Sequence, residues 1–449
     1  MVQKTSSSAK EFVRPMPFSL STWTRSFFRT GPLYAWRFGG PGPEVIAHPV
    51  IDLIAGNPER AREVYLGVYG FHAGRVDIGT QSPFSVEGAS RGWRAHLHGF
   101  EWLRHLSATN DDLMSGNARA LIDDWVQLCG HDVRSMPWRP EIAARRLNSF
   151  LRHAPMVLRN ANHAFYRRFC SLIARHVRFL RTVARSMPPG RARLSVNVSL
   201  MIAAVAVPLS AKRQKRYEHY LKRDLDAFVL PDGMVRTRNT DDAARLALDL
   251  SSLVALMATA SYPVPDALPK ALDRLFPAIN TMRHVSGELA AFNGSGAMPV
   301  HHIAALLNHD LTQGSLAALD SHGHYRRLEA ANCCVIADVG APPPAPFDAQ
   351  AMAGTTSFEM SSDGHRFIVN AGSDTQCDPD HIIMVRGTAA HSAAVLNDQS
   401  TAQFKAYFGD HDDIVTTVTN SPSQIDDQAW NVDGWRGFQV GHNGYAKLG

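Results

Sequence analysis

Cysteine is scarce in this sequence, and the cysteines that occur follow no pattern. There are five in 449 residues, an odd number without regular spacing, and no two of them form a CxxC pair. A disulfide framework needs paired cysteines, and structural zinc sites are commonly built from CxxC pairs. The sequence therefore argues against a disulfide-stapled or zinc-stapled fold and favours buried thiols in a reducing compartment.

Long apolar runs are also missing. The first fourteen residues are polar and lack the apolar core of a signal peptide. The most apolar run, Val198 to Leu209, contains Pro208 and is shorter than the roughly 20 residues that span a bilayer. We therefore expect a buried helix over this run, no membrane insertion and, since no export signal is visible, a cytoplasmic location.

Several common catalytic motifs are absent. The sequence has no GxxxxGK[ST] phosphate loop, no HExxH and no GxSxG. Adjacent acids such as Asp111 and Asp112 do not form a glycosidase acid/base pair, because neighbours on a helix point in different directions. These absences disfavour nucleotide hydrolysis, zinc proteolysis and serine hydrolysis.

Positive charge is unevenly distributed along the chain. The net charge is +5, but residues 134–223 contain 20 Lys or Arg and two acids. That stretch carries +18, so the remainder carries 5 − 18 = −13. Such asymmetry indicates a polyanionic partner, an electrostatic match between domains, or simply solvated helix faces. All three readings stay open from the sequence.

A helical pattern extends from about residue 57 to 310. Asn57-Pro58-Glu59 supplies the N-cap, the N1 proline and the first-turn acid of a helix start. Apolar residues recur at spacings of three and four, for example from Trp93 to Leu106 and from Leu246 to Leu256. About ten helices joined by short turns are expected. Antiparallel helical hairpins of this kind form bundles, solenoids or closed toroids.

Strand patterns replace helical ones after about residue 320. Cys333 to Val339, the two segments around the turn Ser361 to Gly364, Ile414 to Val418 and Trp435 to Val440 all predict strands. Helices first and strands second predict two domains, over 45–315 and 316–449, after an N-terminal arm over 1–44. No closing element follows the last strand, so we expect the β domain to be incomplete or completed by another chain.

Six segments in order resemble the heparinase II/III family, in particular a bacterial branch. They are Leu97–Arg104, Leu230–Gly233 with Arg238-Asn239, Arg283-His284 with Phe292–Gly294, Tyr325–Leu328, Ser357–Glu359 and Thr388–Ser392. The resemblance implies an α+β multidomain fold, an (α/α) toroid of helical hairpins followed by an antiparallel β-sandwich. Members usually carry a longer β domain, which suggests that this chain is truncated at its C-terminus.

The resemblance also implies a function. It is that of a carbon–oxygen lyase that cleaves uronic-acid-containing polysaccharides, such as glycosaminoglycans, by β-elimination. The alternative is a non-catalytic glycan-binding or envelope-polysaccharide-related protein with a degenerate lyase fold. The expected partner is an acidic polysaccharide and not nucleic acid, and a homo-oligomer stays open. No cofactor is expected, a structural divalent metal stays open, and the periplasm or cell envelope is the alternative location.

Elimination requires an amide or cation beside the substrate carboxylate, a base and an acid. By resemblance, Asn239, His391 and Tyr325 are the catalytic candidates. The substrate-binding candidates are Arg236, Arg238, Arg283, His284 and Asn293. Each catalytic candidate also has a structural alternative.

Asn239 can cap the helix that opens at Thr240, His391 can end a strand, and Tyr325 can pair within a sheet. Related lyases use a tyrosine of the helical domain, yet no tyrosine occurs between Tyr262 and Tyr325. His301 and His302 are candidate substitutes. Met352 stands where the family often has a histidine, which is a second departure from the pattern.

Overall fold

The computed structural model describes residues 37–207, 209–296, 298–310, 321–372, 384–408 and 414–446. Most of the predicted N-terminal arm, over residues 1–36, lies outside the described residues. The predicted domain boundary at 315/316 also lies outside them. Within the described ranges the chain is helical first and β second, as predicted.

Eleven α-helices lie within these ranges. They are α1 Pro58–Tyr65, α2 Arg91–Gly99, α3 Leu103–Ala108, α4 Asp112–Cys129, α5 Pro140–Val157, α6 His163–Val183, α7 Arg191–Ala206, α8 Ala211–Phe228, α9 Thr240–Thr259, α10 Ala267–Thr281 and α11 Val300–Leu307. The predicted start at Asn57 is confirmed, since its side chain accepts a hydrogen bond from the Glu59 amide at 2.8 Å.

One predicted helix is wrong. The apolar spacing from Trp93 to Leu106 predicts a single helix, but the structure has two, α2 and α3. Phe100 caps α2 in the left-handed conformation, with φ of 59°. A left-handed residue ends the run of helical hydrogen bonds, so the chain turns before α3 begins. Periodicity missed the break because the apolar residues on both sides pack into one core.

Helix α7 lies at the centre of the helical region. It packs against α5, α8 and α9, and every residue from Val196 to Ala206 is buried. The sequence-based expectation of a buried helix over this apolar run is confirmed. Among the described helices, none combines the length and the apolar character that a bilayer crossing needs.

A short hairpin that the sequence did not predict lies between α1 and α2. Its strands are β1 Val68–Phe71 and β2 Gly74–Asp77. Trp93 anchors it, because the indole Nε1 donates a hydrogen bond to the Tyr69 carbonyl at 3.0 Å. Four-residue strands inside a helical domain leave little periodic signal, so only the tertiary contact fixes them.

The β region consists of antiparallel sheets. The strands are β3 Ser321–His322, β4 Tyr325–Ala330, β5 Cys333–Asp338, β6 Phe358–Ser362, β7 His365–Ile368, β8 Gln403–Phe408, β9 Ile414–Asn420, β10 Ile425–Val432 and β11 Trp435–His442. Strands β3 to β7 form one sheet in sequence order, and β8–β9 and β10–β11 form two-stranded sheets. The predicted strands are confirmed. The fold is the predicted helical toroid followed by an antiparallel β domain.

Candidate functional site

A cavity of about 670 Å³ lies in the helical region next to the β region. Helices α5, α7 and α9 supply three parts of its wall. The segments around residues 52–60, 96–105 and 294–302, together with Phe71, His72 and Phe228, supply the rest of the helical lining. Gln350 of the β region completes it. The cavity therefore lies beside the junction of the two regions, with one lining residue from the β region.

One face of α5 carries the polar residues that line the cavity. Glu141, Arg145, Asn148 and Arg152 follow one another at spacings of four, three and four. A helix of 3.6 residues per turn places such residues on one face. The rest of α5 is deeply buried in the core. A polar stripe on an otherwise buried helix therefore marks a wall of the site, and sequence reasoning overlooked it.

Asn239 caps α9 and lines the cavity at the same time. Its Oδ1 accepts a hydrogen bond from the Asp242 amide at 3.1 Å, and its Nδ2 donates one to the Gln350 Oε1 at 2.9 Å. Gly294 lies beside it with φ of 85°, and a Cβ on Gly294 would stand 3.2 Å from Asn239 Nδ2. The glycine leaves space in front of the amide, so both roles predicted for Asn239 are compatible with its place.

Arginines and carboxylates share the cavity wall, six of each. Four pairs are in direct contact: Arg104–Asp52 at 3.3 Å, Arg145–Glu101 at 3.7 Å, Arg152–Asp249 at 2.8 Å and Arg191–Asp242 at 3.2 Å. Burial alone would raise the pKa of Glu101, but the charges of Arg145 and other arginines outweigh it and lower that pKa to about 2. The wall is therefore close to neutral instead of strongly basic.

Two of the six lining arginines, Arg60 and Arg245, make no such pair within the described ranges. Arg60 is exposed and donates to the Gly70 carbonyl at 3.2 Å, whereas Arg245 lies half-buried on α9 in the cavity wall. Within the described ranges, its guanidinium makes no ion pair and no hydrogen bond, although its charge acts on Glu101 and His302. A guanidinium offers five donors and stays charged at any ordinary pH. Arg245 can therefore bind an anion that enters the cavity.

Two adjacent histidines, His301 and His302, lie at the start of α11 on the cavity wall. Their ring centroids are 4.5 Å apart. Burial, followed by the nearby charges of Arg104 and His301, lowers the pKa of His302 to about 3. The His302 ring is therefore neutral at neutral pH, and its low pKa makes it a weak proton acceptor until a negative charge, such as a substrate carboxylate, lies beside it and raises that pKa.

Three predicted residues, Arg238, Asn293 and Tyr325, meet in one buried network at the junction of the two regions. The Tyr325 hydroxyl donates to the Arg238 carbonyl at 2.7 Å and accepts from Asn293 Nδ2 at 2.7 Å. The Arg238 guanidinium pairs with Asp338 at 2.6 Å and donates to three backbone carbonyls. Burial raises the pKa of Tyr325. None of the three lines the cavity, so this placement favours a structural role.

His284 lies in a second buried contact between the regions. Its Nε2 is 3.0 Å from the Glu359 carboxylate and its Nδ1 is 2.9 Å from the Ser361 hydroxyl. Both partners belong to β6. The second Glu359 oxygen accepts from the Ala291 and Asn370 amides. His284 therefore fastens the helical region to the sheet.

His391 is buried just after the 3₁₀ turn Thr388–Ala390. Neither ring nitrogen has a hydrogen-bond partner within the described residues. Burial lowers the pKa of His391 to about 4, against the opposing effect of the Glu359 charge. The ring is therefore neutral, its low pKa makes it a weak base in this environment, and it does not belong to the cavity lining.

The other two predicted residues also stand outside the cavity lining. Arg236 donates to the Ala227 carbonyl at 2.7 Å, and its guanidinium lies 5.8 Å from the Phe347 ring centroid. The Arg283 carbonyl accepts from Arg327 at 2.6 Å. Of the eight predicted site residues, all of them described, Asn239 alone lines the cavity.

Metal ligation finds no support in the part of the chain that the structure describes. No group of three His, Cys, Asp or Glu side chains lies close enough to hold an ion there. The histidines of the cavity wall are His72, His96, His105, His301 and His302.

Comparison with known proteins shows what the chain is similar to. Residues 312–449 match the family model described as heparinase II/III-like, C-terminal. FtsZ-localized protein C of Caulobacter vibrioides is 29% identical over 351 residues, which are 78% of this chain and 60% of that protein. The chain thus spans less than two thirds of the length of this curated relative.

Solved structures resemble the chain over most of its length. Heparinase III aligns with a TM-score of 0.60 and 11% identity over 93% of this chain and 75% of that chain. A mutant of the heparan sulfate lyase HepC from Pedobacter heparinus aligns with a TM-score of 0.50 and 16% identity over 83% and 65%. At such identities the likeness concerns the fold alone.

Proposed function

We propose that this chain, whose residues 312–449 match the family model described as heparinase II/III-like, C-terminal, is a polysaccharide lyase that cleaves uronic-acid-containing glycans by β-elimination. The active site of this proposal is the cavity lined by Asn239 and Arg245. The cavity lies beside the β region, and its volume of about 670 Å³ is within the range of sites that bind small molecules or a few sugar units.

The reaction sets the requirements. A base removes the proton at C5 of the uronate, the electron pair forms the C4–C5 double bond, and the C4–O bond to the next sugar breaks. An acid protonates the departing oxygen. Negative charge develops on the uronate carboxylate in the transition state, so donors aimed at that carboxylate lower the barrier.

The observation that carries the proposal is that the Arg245 guanidinium lines the cavity without a direct ion-pair or hydrogen-bond partner within the described ranges. The other lining arginines on the helices near it are paired with carboxylates, whereas Arg245 has no such partner in the described ranges. Binding a uronate carboxylate would give the Arg245 guanidinium the hydrogen-bonding partner that it lacks within the described ranges. Asn239, whose amide stands behind the open space at Gly294, supplies a second donor.

Two histidines are candidates for the base. His302 lines the cavity, and burial keeps it neutral. His391 is neutral and has unpaired ring nitrogens, but it lies outside the lining. A neutral imidazole within reach of the C5 proton can serve as base. We assign the role to His302 first and keep His391 as the alternative.

A second candidate function, glycan binding without cleavage, has its own support. Tyr325, the tyrosine of the predicted catalytic set, is buried in the junction network with its hydroxyl fully engaged. No tyrosine lines the cavity within the described residues. The 29% relative from Caulobacter is named for its localisation with FtsZ and not for a reaction, which agrees with a binding role.

The test is an ultraviolet assay for the unsaturated uronate product on a panel of uronic-acid polymers. We expect Arg245→Gln to lower kcat/KM by about 10- to 100-fold, since a hydrogen bond to a charged group contributes roughly 1.5–3 kcal/mol. Arg62→Gln is the matched control and should keep the parent activity, because Arg62 lies outside the cavity lining and its side chain contacts Glu59 at the surface. Equal activity in parent and Arg245→Gln would refute the assignment of the carboxylate site.

A further inference from the structure

A dense group of cations lies outside the cavity, on the outer helices α6 and α8. We call it the cationic surface and define it by Arg178, Arg181, Arg185, Lys212, Arg213, Lys215 and Arg216. The first three lie at spacings of three and four along the end of α6 and just beyond it, and the other four lie in the first two turns of α8. Those four are exposed, as is Arg185.

The two groups of cations lie close enough to repel one another. Burial and the charges of Arg181 and Arg213 lower the pKa of Arg178. Tyr217 of α8 is buried and lies within the electrostatic influence of arginines from both helices. The cationic surface is therefore one patch and not two separate helix faces.

This patch is not neutralised by the protein. Arg178 donates to backbone carbonyls such as those of Phe38 and Gly40, both at 3.3 Å. Within the described ranges, no member of the cationic surface makes an ion pair. Nearby acids are engaged elsewhere. Glu218 accepts from the Tyr262 hydroxyl at 2.5 Å, and Asp224 pairs with Arg193 at 2.8 Å.

The start of α8 also breaks the usual rule for helix ends. Its first turn contains no acid, and Ser210 makes no side-chain capping bond. Cations at a helix N-terminus oppose the helix dipole and destabilise the helix. A local cost without a compensating contact is expected where a surface serves binding.

The cationic surface continues towards the cavity along the chain. Arg185 is six residues from Arg191, a distance that an extended chain spans in at most about 20 Å. Arg191 lines the cavity, and its side chain is 43% exposed. The cationic surface therefore begins within about 20 Å of an arginine that lines the cavity.

We propose that the cationic surface is a secondary binding site for the acidic glycan whose uronate occupies the cavity. The inference rests on the proposed function, because it takes the glycan from there. Carboxylate or sulfate groups spaced along the polymer would pair with the exposed arginines. A nucleic acid strand fits less well, since base stacking needs exposed rings; Tyr217 is buried and Arg223 lies over Tyr220 at 5.3 Å.

The test compares long heparan sulfate chains with a tetrasaccharide prepared from them. The surface variant carries Arg181→Gln, Arg185→Gln, Arg213→Gln and Arg216→Gln. The control variant carries Arg62→Gln, Lys270→Gln, Lys405→Gln and Arg436→Gln, which remove the same charge from exposed positions elsewhere. Circular dichroism establishes that both variants are folded.

We expect the surface variant to bind long chains at least 10-fold more weakly than the control variant and with a shallower salt dependence. Its affinity for the tetrasaccharide should stay unchanged. Equal affinity of both variants for long chains would overturn the proposal. Equally tight binding of duplex DNA by the parent, with the same loss in the surface variant, would overturn its assignment to glycans.

Arg245→Gln separates this inference from the proposed function. If Arg245→Gln weakens the tetrasaccharide while the surface variant changes nothing, the cavity assignment stands and the secondary site is refuted. If the surface variant weakens long chains while Arg245→Gln changes nothing, the secondary site stands and the cavity assignment fails. Failure of the parent to bind either probe refutes both.

Discussion

The Arg238 guanidinium lies 2.6 Å from the Asp338 carboxylate, across the junction between the helical and β regions. Both side chains are almost fully buried. Arg238 also has φ of 53° and donates to the Gly323, His324 and Ala341 carbonyls. Arg238 thus connects the turn before α9 to the start of β4 and to the end of β5.

Removing one partner of this pair should destabilise the protein strongly. Asp338→Ala leaves the Arg238 charge buried without a counter-ion, which typically costs about 3–5 kcal/mol. Urea denaturation measures the free energy of unfolding. Glu329→Ala is the control, because its carboxylate is half exposed and contacts Arg327 at the surface, and it should cost at most about 1 kcal/mol. Equal effects of the two would contradict the junction role.

Asn239 allows its two roles to be separated by substitution. Asn239→Ser keeps a capping oxygen for α9 but removes the amide donor, whereas Asn239→Ala removes both. We expect Asn239→Ala to lower stability by about 1 kcal/mol and Asn239→Ser to lower it by less. Both should lose most of the elimination activity. Full activity in Asn239→Ser would assign Asn239 to helix capping alone.

Tyr325→Phe tests the buried hydroxyl. The change leaves the Arg238 carbonyl and the Asn293 amide short of a partner, so we expect a loss of about 1–3 kcal/mol. The rate of elimination per folded molecule should change little, since Tyr325 does not line the cavity. A collapse of kcat with unchanged stability would instead make Tyr325 the catalytic acid.

The buried, neutral His98 should make the folded protein less stable in acid. Its Nδ1 accepts a hydrogen bond from Trp125 Nε1 at 3.1 Å, and burial together with Arg146 lowers its pKa to about 3 from a usual value of 6.5. Between pH 6.5 and about pH 3, His98 is protonated in the unfolded chain but stays neutral in the folded protein. Stability is therefore full above pH 6.5 and falls by about 1.4 kcal/mol per pH unit down to about pH 3.

In the variant His98→Gln, the free energy of unfolding should fall less steeply over this pH window. The difference in slope should equal the contribution of one titrating group. Denaturant titrations at several pH values measure the slope. His131→Gln, at an exposed position on the same domain, is the matched control and should follow the parent. A parent-like slope in His98→Gln would contradict the buried neutral state of His98.

The order of elements followed from the sequence because each long helix carries its own signal. The start of α9 was predictable from Asn239, Thr240 and the acids after it, and the hairpin of β6 and β7 from its turn residues. The hairpin of β1 and β2 was not, because its short strands depend on Trp93. The break at Phe100 was hidden since apolar spacing continued across it.

The site was less predictable than the fold. The family resemblance led to residues that the structure places in the junction, such as Arg238 and His284. Polar residues of a family motif can hold two regions together as well as take part in chemistry. Arg145 and Arg245 were missed, although the spacing of polar residues along α5 and α9 contained the signal. Ion pairing of the lining arginines depends on the tertiary structure, so no sequence pattern shows which of them lacks a partner.

The most direct measurement is the mass of the products released from a uronic-acid polymer by the purified protein. Elimination predicts new non-reducing ends that are lighter by one water than hydrolysis products, and their loss in Asn239→Ser and Arg245→Gln. Products carrying the added water would contradict elimination. Binding of the polymer without any product, by folded protein, would contradict catalysis and establish glycan binding instead.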